Sequence, residues 1–398
     1  MSSKQSWDTV SLIELIDSNR PITYGILKPG PDIEDGVPYV RVVDLQGGEV
    51  QSSQIRRTTT DIAHQYRRST LKAGDVLMSI RGHVGRCGVV PTSLIGANIT
   101  QDTARLAVNG KCDSRFLLWC LRSPEIQRWM AKHTKGVAVT GINLGDVKQI
   151  PIPLPTLSEQ KRIAGILDQA DGLRRKRQQA LALTDQFLRS TFLDLFGDPV
   201  TNPKRWPVGT IRDLVTNVNY GTSAKAGEHG KYPVLRMNNL TFAGGWNLAD
   251  LKYMDLAANE TDKFMVRKGD LLFNRTNSKE LVGKSAVFRE SQPMAFAGYL
   301  IRIRPNDRAN TEYLAGYLNS ASGKSKLSHM CKSIVGMANI NAQELQNIPI
   351  AIPSRELQDR YAAIVDRTHQ QTLRYQRGID ECDALFNSLV QRAFRGEL

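Results

Sequence analysis

The chain has 398 residues, too many for one ordinary domain, and 41% of them are hydrophobic, enough to build two or three buried cores. Its formal net charge of +14 favours a polyanionic partner such as nucleic acid, with a basic protein of unrelated function as the alternative. No apolar run approaches the roughly 18 residues of a membrane span, and the start does not resemble a signal peptide. We therefore expect a soluble, cytoplasmic protein without membrane contact.

The cysteines and histidines are dispersed along the chain. Five cysteines occur without any CxxC pair, and six histidines occur without an HExxH motif or a Cys/His cluster at zinc spacing. This distribution predicts reduced thiols that behave as small hydrophobic side chains, and no metal site on the chain.

Four regions follow one another in the predicted secondary structure. Residues 1–150 contain short β-type runs broken by Gly, Asn and Pro, followed by a shorter helix, and residues 200–349 repeat that pattern. Residues 151–199 begin with the proline-punctuated segment Pro151–Pro155 and continue as a helix from Ser158 to about Phe196, and residues 350–398 form a second long helix. The predicted strands are Tyr39–Leu45, Asp75–Ile80, Val234–Met237 and Tyr299–Ile303, and the shorter helices are Ser114–Leu121 and Thr311–Asn319.

Both long helices carry a narrow stripe of apolar or small residues at spacings of mostly three and four. The first stripe is Ile163, Ile166, Ala170, Leu173, Ala180, Thr184, Phe187 and Thr191; the second is Tyr361, Ile364, Thr368, Thr372, Tyr375, Ile379, Cys382, Phe386 and Leu389. A seam every ~3.5 residues is typical of a coiled coil. We expect an antiparallel helix pair with the β-rich regions at opposite ends, related by an approximate two-fold axis. The alternative is that each helix packs only on its own globular region.

An internal repeat spans almost the whole chain. Matched segments keep their order, and their separation drifts only from 195 to 198 positions, as loop insertions would produce. The repeat is therefore a tandem duplication of a two-part module rather than a solenoid. The matched pairs are Pro38–Leu45 with Pro233–Leu240, Lys72–Leu77 with Arg267–Leu272, Arg115–Leu121 with Glu312–Leu318, Ile150–Pro155 with Ile348–Pro353, Gln160–Ile163 with Gln358–Tyr361, and Phe196 with Phe394.

No catalytic motif is recognised. Gly283-Lys-Ser285 and Gly323-Lys-Ser325 resemble the ends of P-loops, but the glycine required five positions earlier is Ser278 and Leu318. A GxSxG elbow, a nucleotide-binding glycine turn and the Asn-Pro-Pro-aromatic motif of amino-methyltransferases are all absent from the sequence. We therefore expect a chain without catalytic activity of its own.

Candidate DNA contacts lie in loops that follow the Gly-Asp strand of each copy. Arg and Asn can bond guanine and adenine edges bidentately, while Ser, Thr and Lys suit phosphates. An ordinary polar turn is the alternative for any one of them. The candidates are Arg81, His83 and Arg86 in the first copy, and Asn274, Arg275, Thr276, Asn277 and Lys279, with Lys284 close behind, in the second.

Other basic or polar residues are weaker candidates. The later loops Lys135–Gly141 and Gly336–Asn341 contribute Lys135, Thr140 and Asn339. Arg41 and Arg236 occupy equivalent strand positions, which suits a scaffold or phosphate role better than base discrimination. The Arg174–Arg177 cluster lies mid-helix, where a solvated face or contact with an acidic partner is at least as plausible as nucleic acid.

The duplicated pattern resembles the specificity subunit of a Type I restriction–modification system. The residues that carry the resemblance are Ile150–Pro155, Glu159–Ile163, Phe196–Pro199, Ile348–Pro353, Gln358 and Arg392–Leu398, and the similarity spans nearly the full length. Arg355–Gln358 departs from the usual acidic-Glu-Gln opening of the second helix.

This resemblance implies an α+β fold with two β-rich target-recognition domains and two long antiparallel helices. Each domain would read half of a split double-stranded DNA site, with half-sites about 10 bp apart, and the helices would act as a ruler. The helices would also dock two methyltransferase subunits, which bind S-adenosylmethionine and modify adenine, and motor-nuclease subunits could join. No cofactor is expected on this chain.

Two rival functions remain open at this point. A coiled-coil scaffold whose globular ends bind proteins would show no salt-sensitive, sequence-selective DNA binding. A self-sufficient DNA enzyme with unrecognised motifs would methylate or cleave DNA alone.

Overall fold

The computed structural model describes residues 7–136, 140–334, 337–394 and 396–398. The chain divides into two compact units, the first comprising Met1–Lys176 with Gly378–Leu398 and the second Arg177–Arg377. Each unit contains one β-rich module and one segment of each long helix, and the fold is of the mixed α+β class. Among the described residues, no helix is both long and apolar enough to cross a membrane.

The first module is built on a six-stranded sheet of order β2-β10-β7-β8-β5-β4, with smaller sheets β6-β3-β9 and β1-β11. Its strands are β1 (Thr9–Ser11), β2 (Thr23–Tyr24), β3 (Val37–Val40), β4 (Leu45–Gln46), β5 (Gly48–Val50), β6 (Arg56–Thr58), β7 (Val76–Ser79), β8 (Cys87–Val89), β9 (Asn98–Ile99), β10 (Thr103–Leu106) and β11 (Pro151–Pro153). Its helices are α1 (Thr60–Gln65), α2 (Ser114–Arg122), α3 (Pro124–His133) and α4 (Leu144–Lys148), and the first long helix, α5 (Leu157–Phe196), follows.

The second module distributes its strands over sheets β13-β21-β17-β19, β15-β14-β20-β16, β18-β23-β22 and β12-β24. Its strands are β12 (Val208–Thr210), β13 (Val215–Tyr220), β14 (Tyr232–Leu235), β15 (Lys252–Met254), β16 (Met265–Val266), β17 (Leu271–Asn274), β18 (Thr276–Asn277), β19 (Ser285–Val287), β20 (Met294–Phe296), β21 (Leu300–Pro305), β22 (Lys332–Ile334), β23 (Met337–Asn339) and β24 (Pro349–Ala351). Its helices are α6 (Thr261–Phe264), α7 (Thr311–Asn319), α8 (Ala321–Met330) and α9 (Ala342–Gln346), and the second long helix, α10 (Arg355–Phe394), follows.

Helix α2 and its counterpart α7 lie in the largest core of each unit. Six consecutive residues of α2, Phe116–Leu121, are buried, and the corresponding part of α7 buries Tyr313 and Tyr317. Both helices begin at a polar cap whose side-chain oxygen accepts a backbone N–H: Asp113 from Phe116 at 2.9 Å, and Asn310 from Glu312 at 2.9 Å. The local sequence therefore defines the start, and the apolar face anchors the helix.

The long helices run antiparallel within each unit. In the first unit, Arg162 of α5 donates to the carbonyl oxygen of Leu398, while Arg174 lies near Asp383, so ascending positions of α5 meet descending positions of the other segment. In the second unit, Thr184 meets Thr372, whereas Phe192 contacts Tyr361. The predicted antiparallel helix pairing is confirmed.

The predicted stripe is correct for α10 but partly wrong for α5. Every predicted stripe residue of α10 is buried or half-buried. In α5, however, Leu173 and Phe187 are 48% and 52% exposed, and the inward positions are instead Leu167, Asp171 and Phe192. The buried Asp171 explains the error, because a charged residue on the inner face breaks the apolar pattern from which the stripe was predicted.

Two short segments also differ from the predictions. The strand predicted for Tyr39–Leu45 ends at Val40, because the Asp44 carboxylate accepts the Arg41 N–H at 2.8 Å and forms a turn. The proline-punctuated segment is partly a strand: β11 pairs antiparallel with β1, as β24 pairs with β12. The N-terminal strand of each module is thus joined to the entry of the long helix that follows it.

Candidate nucleic-acid interface

Two candidate loops of the first module lie against each other, although they are far apart in sequence. Gly82 donates its N–H to the Thr140 carbonyl at 2.8 Å, and the Thr140 hydroxyl donates to the Gly82 carbonyl at 2.9 Å. The second loop is closed by reciprocal backbone bonds between Lys135 and Gly141. The structure therefore brings these two loops into one surface. Val137–Val139 of the second loop lie outside the described residues.

The side chains on this surface are exposed. Arg81, His83, Arg86, Lys135 and Thr140 are all exposed, and we name them the first loop surface. Arg81 donates to the Gln101 side chain at 3.3 Å, a weak restraint that leaves most of its donors available. Beneath them the buried Ser79 hydroxyl donates to the His83 carbonyl and accepts the Arg86 N–H at 2.8 Å. The backbone is thus held while the side chains remain free.

The second module joins its two candidate loops by strand pairing. Strand β18 pairs with β23, which places Thr276 opposite Asn339, and the Thr276 hydroxyl donates to the Asn339 side-chain oxygen at 3.2 Å. We name Arg275, Asn277, Lys279 and Asn339 the second loop surface; Thr276 is buried beneath it. Gly336 of the later loop lies outside the described residues.

Arg275 is the most constrained side chain of the second loop surface. Its guanidinium lies over the Tyr220 ring, 4.8 Å from the centroid, and its Nε is buried without a partner. The Tyr220 hydroxyl accepts the Ala342 N–H at 2.8 Å, which fixes the ring. Among the described residues the Arg275 side chain makes no hydrogen bond, so it presents a pre-oriented planar fork to a ligand.

Burial corrects three of the predicted contacts: Thr276, which is buried with its hydroxyl bonded to Asn339, and also Asn274 and Lys284. Asn274 is 0% exposed, and its side-chain oxygen accepts the Thr276 N–H at 3.3 Å. Lys284 is 8% exposed; its ammonium donates to the Met237 and Leu240 carbonyls at 2.8 and 2.7 Å, and burial lowers its pKa. Neither Asn274 nor Lys284 can reach a ligand in this conformation, because each is already used to hold neighbouring backbone.

Arg41 and Arg236 hold equivalent turns within their own modules. Arg41 makes a two-pronged contact with Asp44 at 3.0 and 2.8 Å, and this hydrogen bonding raises its pKa. Arg236 donates to the Asp250 carboxylate at 3.0 Å and to the Asp250 carbonyl at 2.9 Å. These contacts support the scaffold role over base discrimination.

The mid-helix basic cluster is partly neutralised by carboxylates of the first unit. Arg174 pairs with Asp171 at 2.8 Å, and Arg175 pairs with Glu49 at 2.6 Å and Asp171 at 3.2 Å. These two arginines therefore bind the β4–β5 hairpin and the helix rather than forming an open nucleic-acid patch.

Comparison with known proteins agrees with this arrangement. A family model described as the Type I restriction modification DNA specificity domain matches residues 4–183 and again residues 203–381. The chain belongs to this family. Specificity subunits are non-catalytic recognition subunits, which accords with the lack of a recognised catalytic motif in this sequence.

Two relatives in this specificity family come from Escherichia coli. The chain is 34% identical to the Type I restriction enzyme EcoBI specificity subunit over 202 residues, which is 50% of this chain and 42% of that subunit. It is 24% identical to the EcoKI specificity subunit of strain K12 over 307 residues, which is 72% of this chain and 66% of that subunit. The matched segments thus span between about two fifths and two thirds of these relatives' length.

Solved structures support the same fold. The crystal structure of a Type I restriction–modification S subunit from M. genitalium matches with a TM-score of 0.64 at 16% identity, covering 99% of this chain and 97% of that one. A chain from a structure on complex assembly and conformational transition of the type I R-M system matches with a TM-score of 0.55 at 19% identity, covering 100% of both. At these identities the likeness concerns the fold alone.

Sequence reasoning missed one repeated element of this specificity subunit. The dipeptide Tyr24-Gly25 recurs as Tyr220-Gly221, 196 positions later. A Cβ on Gly25 or Gly221 would lie 1.9 or 2.3 Å from a backbone oxygen of the adjacent strand region, so only glycine fits. The recurrence of this dipeptide was the signal in the sequence that could have identified the element. In the second module it contains Tyr220, the ring over which the Arg275 guanidinium lies.

The described residues hold no recognisable metal site. They contain no group of three or more His, Cys, Asp or Glu side chains placed to hold an ion. The cysteines are free, and burial raises the pKa of the Cys87 and Cys112 thiols to about 12.

Proposed function

We propose that this specificity subunit binds double-stranded DNA and reads a bipartite site, one half through each loop surface. Both surfaces are built alike, from a loop after a buried strand held against a second loop, yet their side chains differ. A shared framework with different exposed donors is what two readers of different half-sites need.

The observation that carries this proposal is the orientation of Arg275. An arginine fork held on an aromatic ring, with no competing acceptor among the described residues, has already lost much of its conformational freedom. Its planar donors match the two acceptors of a guanine edge. Asn277 and Asn339 beside it add amide groups suited to adenine.

We further propose that partner subunits perform the chemistry. Two methyltransferase subunits, each binding S-adenosylmethionine, would modify adenine at the site read by this chain, and motor-nuclease subunits would join for restriction. Exposed apolar side chains on the long helices support docking of such partners. They are Leu157, Leu173 and Leu385 in the first unit, and Leu183, Phe187, Leu193 and Leu373 in the second.

The test uses the full chain co-expressed with its methyltransferase subunit, with sequencing of methylated adenines as the readout. The double substitution Arg275→Ala and Asn277→Ala should relax preference at one half-site by about tenfold or more and leave the other half unchanged. Lys268→Ala, an exposed charge in the same module, is the matched control and should change neither half.

Other outcomes discriminate between the remaining functions. Uniformly weaker modification with unchanged preference would assign Arg275 to a phosphate. DNA binding without sequence preference, or none, would favour the protein-binding scaffold. Methylation by the chain without its partner would establish an enzyme.

A further inference from the structure

A basic cavity of about 290 Å³ lies in the first module at the start of β7, whose far end leads to the first loop surface. Its described lining contains no carboxylate. The charged residues that line it are Arg20, Arg67, Arg68, Lys72 and Arg105.

Arg105 forms the buried wall of the cavity. It is 3% exposed, and its terminal nitrogens donate to the carbonyls of Arg68 at 2.8 Å, Thr70 at 3.2 Å and Pro21 at 3.0 Å. Its Nε has no hydrogen-bond partner. Burial, and then the neighbouring Arg20 charge, lower the pKa of Arg105. The guanidinium charge therefore sits at the cavity without a carboxylate bonded to it.

The rim of the cavity carries uncompensated charge. Arg67, Arg68 and Lys72 are exposed, and within the described part of the chain their side chains make no hydrogen bond or ion pair. The nearest carboxylate, Asp75, is already occupied: Arg20 contacts both of its oxygens at 2.7 Å, and the Lys72 N–H donates to it at 2.8 Å.

The second module shows that the fold does not require this excess of unpaired positive charge. Arg302 repeats Arg105, since it is 1% exposed and donates to the Asp262 and Met265 carbonyls. Arg267, the counterpart of Lys72, pairs with the Asp262 carboxylate at 2.9 Å. The corresponding loop of the second module thus has an acid, Asp262, where the first module has Arg67, while Lys263 keeps the positive charge of Arg68.

We propose that the basic cavity binds a phosphate group. Three free cations around a fixed buried guanidinium suit a compact, multiply charged anion better than a single carboxylate. The source is either a phosphate of the DNA backbone or a free phosphate compound. The first alternative rests on the proposed function: Gln101, which holds Arg81, lies in the turn just before β10, the strand that contains Arg105, so one duplex could reach both.

The experiment compares two triple variants of the full chain. The cavity variant carries Arg67→Gln, Arg68→Gln and Lys72→Gln. The matched control carries Lys263→Gln, Arg267→Gln and Lys268→Gln, the same loss of charge in the corresponding loop of the second module. All six side chains are exposed, so both variants should keep the melting temperature of the unchanged chain.

Two assays separate the sources of the phosphate. The first measures duplex DNA binding between 50 and 200 mM salt; loss of one backbone contact lowers the slope of log affinity against log salt by about 0.9, or about 3.5-fold over that range. The second titrates the unliganded chain with inorganic phosphate and then pyrophosphate by calorimetry, which needs no DNA.

The outcomes decide both the proposal and its source. A lower salt slope in the cavity variant alone supports a backbone phosphate. Calorimetric binding that disappears in the cavity variant alone supports a free phosphate compound, even if the chain fails to select any DNA sequence. Equal effects of both variants, or no effect of either in both assays, would overturn the proposal.

Discussion

The two modules share a buried polar framework but differ at their loop surfaces. Gln160 and Gln358 are both 0% exposed and make the same three bonds. Gln160 accepts the Asp113 N–H at 2.8 Å and donates to the Lys111 and Pro155 carbonyls. Gln358 accepts the Asn310 N–H at 2.8 Å and donates to the Arg308 and Pro353 carbonyls. Each glutamine joins a long helix to the short helix of its module.

At the loop surfaces the backbone is retained while the side chains change. Ile80 and Arg275 occupy the same position, because each carbonyl accepts the N–H of Ile142 or Ile340 at 2.9 Å. Ile80 is buried, whereas Arg275 is stacked on Tyr220 with free donors. Backbone bonds therefore hold the loop in both modules, and the side chain at this position is free to diverge. Substitutions in the framework should affect stability, and those at the loops should affect recognition.

The largest effect is expected from Gln160→Leu and, equally, Gln358→Leu. Either change leaves one N–H and two carbonyls without their partner in a buried site, at a cost of about 3 kcal/mol in unfolding free energy. Chemical denaturation measures it. Glu159→Gln, a half-buried neighbour whose only ion pair among the described residues is with the exposed Arg162, serves as control and should cost less than about 0.5 kcal/mol. A much smaller loss for one glutamine than for the other would break the equivalence of the two frameworks.

Asp171→Asn should have the next largest effect, confined to the first unit. Asp171 is 1% exposed and lies between Arg174 at 2.8 Å, Arg175 at 3.2 Å and Arg122 at 3.9 Å. Removing its charge leaves three partly buried cations together, which should cost about 2 kcal/mol. The measurement is again denaturation, with Glu159→Gln as reference. Unchanged stability would show that solvent screens these arginines.

Features that depend on local sequence were predictable. Helix α7 has the predicted bounds Thr311–Asn319, and α5 begins one residue before the predicted start, because caps, apolar spacing and the absence of proline act locally. The repeat also located corresponding loops correctly, since both copies preserve their flanking strands.

Features that depend on contacts between distant residues could not be predicted from the sequence. The pairing of Gly82 with Thr140 joins residues 58 positions apart through one backbone bond and one bond from the Thr140 hydroxyl, a contact that the local sequence pattern does not specify. Residue type likewise could not show that Lys284 points inward to two carbonyls while Lys279 is exposed. The contribution of Tyr220 also required the structure, because its ring lies 55 positions from Arg275 in the chain.

A smaller effect, on recognition rather than folding, is expected from Tyr220→Leu. Loss of the ring beneath Arg275 should weaken binding to sites with the second half intact by about fivefold, corresponding to about 1 kcal/mol. Tyr220→Phe keeps the ring and should stay within about twofold of the unchanged chain. Competition between duplexes altered in one half-site measures both. Equal losses for Leu and Phe would assign the effect to the hydroxyl bond with Ala342 instead.

The smallest effect concerns His369, which stands in α10 where α5 has Asp171. Burial, and then the charge of Arg289, lower the pKa of His369 below its usual value. The unfolded chain therefore binds a proton at His369 more readily than the folded chain does. The stability that comes from the neutral His369 is present above about pH 6.5, and it is lost as the pH falls from there towards the pKa of the folded state. His369→Gln should flatten that part of the pH profile of denaturation, while the same variant at pH 8 provides the reference stability. If the variant's profile has the same slope as that of the unchanged chain, the acid sensitivity arises elsewhere. The presence of His369 in α10 at the position that corresponds to Asp171 in α5 then does not make the two helices respond differently to pH.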